Sequence, residues 1–236
     1  MKRTVIFGSG LLVALLCVTL SFAEPAPAGA GAQAGVAASG GTAEKANTTP
    51  TAKETAKGTV LQATQGGLVI GDFDSGDKPN NLGGDFGSWD KDPNDETQFS
   101  HMSFESDDAL GNPSGYSIRM DYDVDSPNPA YNGFWMKLNN LDATQYNTLS
   151  FCLKGDSTKT FTKRVKIELK DNSGKPSPYI VSGITGNWQK FEIPFEKFGR
   201  VSNWKQLSEF VVVFDDINSN PKSGTIYLDQ VELTTQ

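Results

Sequence analysis

Residues 115–124 read GYSIRMDYDV, and their alternation decides the fold class. Tyr116, Ile118, Met120, Tyr122 and Val124 share one parity, while Ser117, Arg119, Asp121 and Asp123 share the other. Successive side chains of a strand point to opposite faces, so a period of two predicts a half-buried β-strand. The pattern recurs. TLSFCLKG (148–155) sets Leu149, Phe151 and Leu153 against Ser150, Cys152 and Lys154. KRVKIELKD (163–171) sets Val165, Ile167 and Leu169 against Lys166, Glu168 and Lys170. KFEIPF (190–195) and GTIYLDQVEL (224–233) continue it. EFVVVFD (209–215) is apolar on both parities, which predicts a central strand covered on both sides.

Turn clusters separate these runs: GNPSG (111–115), DSPNPAYNG (125–133), GDSTK (155–159), DNSGKPSP (171–178), TGNW (185–188) and NSNPKSG (218–224). No long segment carries a 3.6-residue apolar period. PFEKFGR (194–200) and NWKQLSE (203–209) have room for a turn or two of helix each. Short strands divided by turn signals predict a single all-β sandwich, a jelly roll, over residues 66–236. A domain of that length is large enough for a sizeable core.

The chain before residue 66 reads differently. Lys2 and Arg3 precede an apolar run from Thr4 to Leu20, and Ser21-Phe22-Ala23 is a small-x-small cleavage site. This is the pattern of a secretory signal peptide over residues 1–23, cut after Ala23. Cys17 is preceded by Leu16, where a lipid-anchor motif needs a small residue. No later stretch is long and apolar enough to span a bilayer as a helix. The expectation is an exported, periplasmic or extracellular protein. Residues 24–65 are rich in Ala, Gly, Thr and Pro, and predict a disordered tether that buries too little apolar surface to offset its ordering entropy.

The full chain carries 21 Lys and Arg against 28 Asp and Glu, a net charge of −7, which loss of Lys2 and Arg3 deepens to −9. That balance argues against nucleic acid, whose phosphates reward basic surfaces. Cys152 is the one cysteine left after the signal segment, so no internal disulfide forms. His101 is the single histidine and has no nearby cysteine, which excludes a zinc site of the usual kind and leaves Cys152 without a second candidate base. Neither a Gly-x-Ser-x-Gly elbow nor a Gly-Lys-Ser/Thr phosphate loop occurs. Carboxylates are plentiful, but the sequence distinguishes no catalytic pair among them.

The stretch GDFDSGDKPNNLGGDFGSW (71–89) holds four aspartates and two asparagines. Counted from Asp72, the sixth and twelfth residues are Asp77 and Gly83, which rules out an EF-hand loop. The closing strand GTIYLDQVEL breaks its alternation at Asp229. If first and last strands pair, Asp74 and Asp229 meet, and a carboxylate inside a strand wants a partner or a cation. Two carboxylates with carbonyls from the KPNNLGG turn (78–84) would form an oxygen cage suited to a structural calcium.

The succession GDFD, GYSIRMDYDV, NGFWMKL, YNTLSFCLKGD, VKIELKD, TGNWQKFEIPFEKF and SGTIYLDQVEL resembles the galactose-binding-like β-jelly rolls. It is most similar to the carbohydrate-binding modules that recognise mixed-linkage β-glucan, and it also resembles the domain of complex I intermediate-associated proteins. The resemblance spans nearly all of residues 68–235. It implies a structural calcium at Asp74, where a glutamate is common in the family, and at Asp229. It also implies sugar stacked on aromatics across one sheet face, with the family's stacking tyrosine falling on Phe134. Alternation disagrees: it places Phe134, Met136 and Leu138 inside and Trp135 and Lys137 outside, making Trp135 the leading stacking residue. Arg119 and Asp121, on the polar parity of their strand, are expected to grip sugar hydroxyls, with Tyr131 and Tyr179 completing a platform. The resulting expectation is an exported, non-catalytic module that binds a β-linked polysaccharide. A protein-binding scaffold of the same fold is the alternative, and a glycosidase or lyase the weaker third.

Overall fold

The computed structural model describes residues 67–110 and 114–235. The expected signal segment and tether lie outside them. Eleven antiparallel strands form two sheets among the described residues: β1 (Leu68–Gly71), β2 (Phe86–Asp90), β3 (Phe99–Glu105), β4 (Ser117–Asp123), β5 (Tyr131–Leu141), β6 (Thr148–Gly155), β7 (Arg164–Asp171), β8 (Pro176–Ser182), β9 (Gln189–Pro194), β10 (Leu207–Asp215) and β11 (Ser223–Thr234). One sheet runs β3-β4-β11-β6-β9, with β1 also paired to β11; the other runs β2-β5-β10-β7-β8. The only helical element described is a 3₁₀ turn at Phe195–Lys197. The chain is an all-β jelly-roll sandwich, as the alternation predicted.

The core lies between the sheets and is built from the apolar parities. Ile118, Met120 and Tyr122 of β4 and Leu149, Phe151 and Leu153 of β6 are buried from one side; Phe134, Met136, Leu169, Phe210, Val212 and Phe214 are buried from the other. Rings bridge the gap: Tyr122 stacks on Phe214 with centroids 4.1 Å apart, and Phe151 meets Phe210 at 6.0 Å. Each such side chain contributes about 1.5–3 kcal/mol relative to exposure. Asp171 closes one end of β7. Its carboxylate accepts from the backbone N–H groups of Ser173 (2.8 Å), Ser202 (2.7 Å) and Asn203 (2.9 Å) and from Ser202 Oγ (2.7 Å).

The first and last strands pair, with Leu68 opposite Leu233 and Val69 opposite Glu232. The break in alternation at Asp229 is a bulge: the β11–β6 register shifts between Asp229 and Glu232, and Gln230 adopts φ 50°. One extra residue turns Asp229 away from the apolar parity without moving Val231 and Leu233 off it. β10 is central in its sheet, as predicted, but only one of its faces meets the other sheet. Val211 and Val213, 2% and 4% exposed, lie instead at the bottom of a cleft on the outer surface.

Candidate functional site

That outer surface of the β2-β5-β10-β7-β8 sheet carries a cleft of about 590 Å³. Register sets its plan. Lys137, Glu209, Lys170 and Pro176 lie in one row across β5, β10, β7 and β8; Gly87, Trp135, Val211, Glu168 and Pro178 form the next; Trp89, Gly133, Val213, Lys166 and Ile180 form a third. Val211 and Val213 are therefore an apolar floor one strand wide. Trp135, Trp89 and Tyr131 form an aromatic wall on its β2–β5 side, and Lys166, Glu168 and Lys170 a charged wall on its β7 side. Strands spaced about 4.8 Å apart put the two walls roughly 10 Å from each other, and about 3.3 Å per residue makes the aromatic wall about 13 Å long from Trp135 to Tyr131. The groove runs along the strands.

Small residues keep it open. Gly87 faces Trp135, and the space where its side chain would sit is 3.6 Å from the indole. A Cβ on Gly133 would come within 1.9 Å of the Val212 carbonyl oxygen, so only glycine allows β5 to lie this close to β10 between Trp89 and Val213. Trp89 and Tyr131 meet edge to face at 5.8 Å, and Lys91 Nζ sits 5.3 Å from the centre of the Tyr131 ring. Lys137 Nζ is 5.4 Å from the centre of Trp135. Tyr131 is 43% exposed, and Trp89 Nε1 is buried with no acceptor.

The charges are mostly paired. Lys137 and Lys170 both reach Glu209, at 2.5 and 2.6 Å, and Lys166 reaches Asp215 at 2.8 Å. Burial opposes the charge on Glu209, but the two lysines outweigh it and hold the carboxyl below its usual range. The same balance, with Lys166 and Asn218, lowers Asp215. Glu168 is shifted the other way: burial raises its carboxyl, and Lys166 and Lys170 offset this only in part. Glu168 and Glu209 are diagonal neighbours on adjacent strands rather than residues of facing walls, and Glu209 is held by two ammonium groups.

The residues expected at the site separate into three groups. Trp135 and Tyr131 lie in the cleft. Phe134 does not: it is fully buried, 5.9 Å from Phe86 and 6.4 Å from Phe73, because it shares parity with Met136 and Leu138. Tyr179 also faces inward, alternating with Pro178 and Ile180 on β8, and packs beside Phe198 at 6.4 Å. Arg119 and Asp121 sit on β4, in the other sheet, and are removed from the cleft altogether. They grip each other rather than a ligand: Arg119 Nε and Nη2 donate to the two Asp121 oxygens at 2.9 Å each, and Thr225 Oγ1 donates to Asp121 at 2.5 Å. Sequence reasoning missed Trp89, although its parity with Gly87, opposite Phe86, was readable in DFGSWD. It also missed that the polar parity of KRVKIELKD lines the cleft.

At the junction of first and last strands, Asp229 is fully buried and accepts from Leu110 N–H (2.8 Å) and Gln230 N–H (2.7 Å). Burial, with the negative charges of Asp74 and Asp72 adding to it, pushes its carboxyl up to about 7. Asp74 Oδ1 is buried and has no hydrogen-bond partner. Both observations are what two carboxylates of a cation site would show. The donor set fits less fully. Among the described residues no three acidic, His or Cys side chains gather into a metal-binding group. The KPNNLGG turn uses the Asn80 and Gly84 carbonyls in its own hydrogen bonds and docks through Asn80 Nδ2 onto the Lys137 carbonyl of β5. Cys152 is buried, and burial followed by the Asp229 charge raises its thiol to about 11, so it is an inert thiol.

Comparison with known proteins bears on this geometry. The family described as Carbohydrate binding domain 30 matches residues 79–235. No curated protein matches the chain. Among solved structures, the chain is similar to the family 11 carbohydrate-binding module of the cellulosomal cellulase Lic26A-Cel5E of Clostridium thermocellum: 17% identity, 74% of this chain and 97% of that one, TM-score 0.52. It is similar to the Clostridium thermocellum family 11 module in complex with a β-1,3-1,4-mixed-linked tetrasaccharide at 16% identity, 73% and 98% coverage and TM-score 0.52. An exo-β-agarase is matched at 10% identity over 72% of this chain and 25% of the agarase, with TM-score 0.53. At these identities the structural likenesses establish the fold.

Proposed function

Because the chain belongs to the Carbohydrate binding domain 30 family and is a non-catalytic carbohydrate-binding module, we propose that its ligand is a β-linked polysaccharide lying along the outer face of the β2-β5-β10-β7-β8 sheet. The observation that carries this reading is the aromatic wall of Trp89, Tyr131 and Trp135 beside an apolar floor of Val211 and Val213. Sugar rings have apolar C–H faces and polar edges, so a groove with one aromatic and one charged flank answers both. Its length along the strands accommodates more than one ring of an extended chain. Because the groove is open and its polar contacts compete with water, affinity is micromolar or weaker, about −8 kcal/mol or less favourable.

The segment Lys2–Ala23 supports export to the periplasm or beyond. No described helix is long and apolar enough to cross a membrane. The unpartnered Asp74 Oδ1 and the buried Asp229 support one structural calcium, held by these two carboxylates and completed by backbone oxygens. The ion would offset the charge of the buried Asp229 and of Asp74, whose Oδ1 is buried. The test of the ligand is affinity electrophoresis through soluble mixed-linkage β-1,3-1,4-glucan, hydroxyethyl cellulose, xylan and galactomannan. Retardation by at least one is expected. Free migration through all four, with capture of a protein partner instead, would transfer the reading to a scaffold.

A further inference from the structure

The cleft holds three lysines, yet each already has a carboxylate partner: Lys137 and Lys170 on Glu209, Lys166 on Asp215. Lys91, beside Tyr131, donates to the Pro129 carbonyl at 2.8 Å. Glu168 is different. Among the described residues it makes no hydrogen bond and no ion pair, although it stands half-buried on the charged wall. Facing it are Lys166 and Lys170 from its own strand, Val211 with Glu209 and Asp215 from β10, and the uncharged Pro178 from β8. A partly desolvated carboxylate with open lone pairs and no donor carries a free-energy cost that a ligand donor relieves.

We infer that Glu168 is the specificity-determining acceptor of the cleft, taking a hydrogen bond from a hydroxyl of a neutral sugar chain and rejecting acidic chains. The inference rests on the glycan reading above. Trp135 and Glu168 stand two strands apart with Val211 between them. A chain over that floor meets the indole on one flank and an unoccupied acceptor on the other. A hydroxyl bonded to an ionised carboxylate is stronger than a neutral pair. A uronate at the same place brings like charge against a carboxylate that is already desolvated, while each cleft lysine is already engaged by a carboxylate, Lys137 and Lys170 sharing Glu209. The three lysines of the cleft are thus balanced by Glu209, Asp215 and Glu168 together, and Glu168 is the one member of that set without an ion-pair partner.

The test compares wild type, Glu168→Gln and Trp135→Ala by calorimetric titration with soluble mixed-linkage β-1,3-1,4-glucan, with polygalacturonate as the acidic counterpart. Glu168→Gln keeps shape and an acceptor but loses charge, and is expected to weaken glucan binding about fivefold. Wild-type affinity is expected to rise with pH as the raised Glu168 carboxyl ionises, and the Gln variant to be flat over the same range. Polygalacturonate is expected not to bind wild type. If Glu168→Gln matches wild type in affinity and pH profile while Trp135→Ala loses binding, this inference is overturned and the glycan reading stands. Tighter binding of polygalacturonate than of glucan also overturns it. A wild-type chain that binds none of the four neutral polysaccharides above overturns both.

Discussion

Truncating Phe134 and, separately, Trp135 to alanine gives opposite outcomes, though the two are adjacent in the chain. Phe134 is fully buried and lies against Phe86 and Phe73. Core Phe→Ala changes cost about 3–5 kcal/mol, the lost transfer energy plus a cavity. At about 2–4 °C per kcal/mol for a domain of this size, the melting temperature falls by about 6–20 °C. Trp135 projects from the other face of the same strand into the cleft, over Gly87 and beside Val211. Its removal costs about 1 kcal/mol of stability at most, because no core cavity opens. Its loss from binding is larger: truncating an aromatic anchor costs about 2 kcal/mol, roughly 30-fold in affinity. The assay is a thermal melt paired with titration against soluble mixed-linkage glucan. The reasoning fails if Trp135→Ala unfolds the domain as severely as Phe134→Ala, or if Phe134→Ala leaves the melting temperature unchanged.

Three further outcomes are expected. Arg119→Ala and Asp121→Ala leave glycan affinity within twofold of wild type, because both residues lie on the other sheet; a tenfold loss in titration would put the ligand there instead. In chelator, the Asp229 carboxyl titrates near 7 in the folded protein against about 3.9 unfolded. The Asp229 contribution to stability is therefore fully present below pH 4 and is lost as pH rises through 7, by about 4 kcal/mol at most, whereas saturating calcium abolishes that loss; denaturant melts between about pH 4 and 8 that are indifferent to both pH and calcium end the calcium proposal. Asp171→Ala strips the acceptor from three backbone N–H groups and the Ser202 hydroxyl and costs about 2–4 kcal/mol in urea unfolding. Its wild-type carboxyl is held below the usual range by Ser173 and Ser202, so that contribution is retained at neutral pH and lost only in strong acid; a variant as stable as wild type would show that the two turns hold themselves.

Parity was legible in the sequence because it is local. The alternation of GYSIRMDYDV, TLSFCLKG and KRVKIELKD fixed the strand class and the buried set, and it placed Phe134 inward and Trp135 outward even where family resemblance pointed the other way. The break at Asp229 was visible too, and its cause is a one-residue bulge. Parity says which side of a strand a residue takes, but not which sheet the strand joins. That is settled by pairing between residues far apart in the chain, as when β10 seats itself between β5 and β7. Arg119 and Asp121 have the outward parity expected of ligand contacts, yet β4 pairs with β11 and carries them into the other sheet. Trp89, Val211 and Glu168 have nothing in common along the chain. Only the register of β2, β10 and β7 around β5 brings them to one groove, because a sheet surface is assembled across strands and the sequence records only what runs along them.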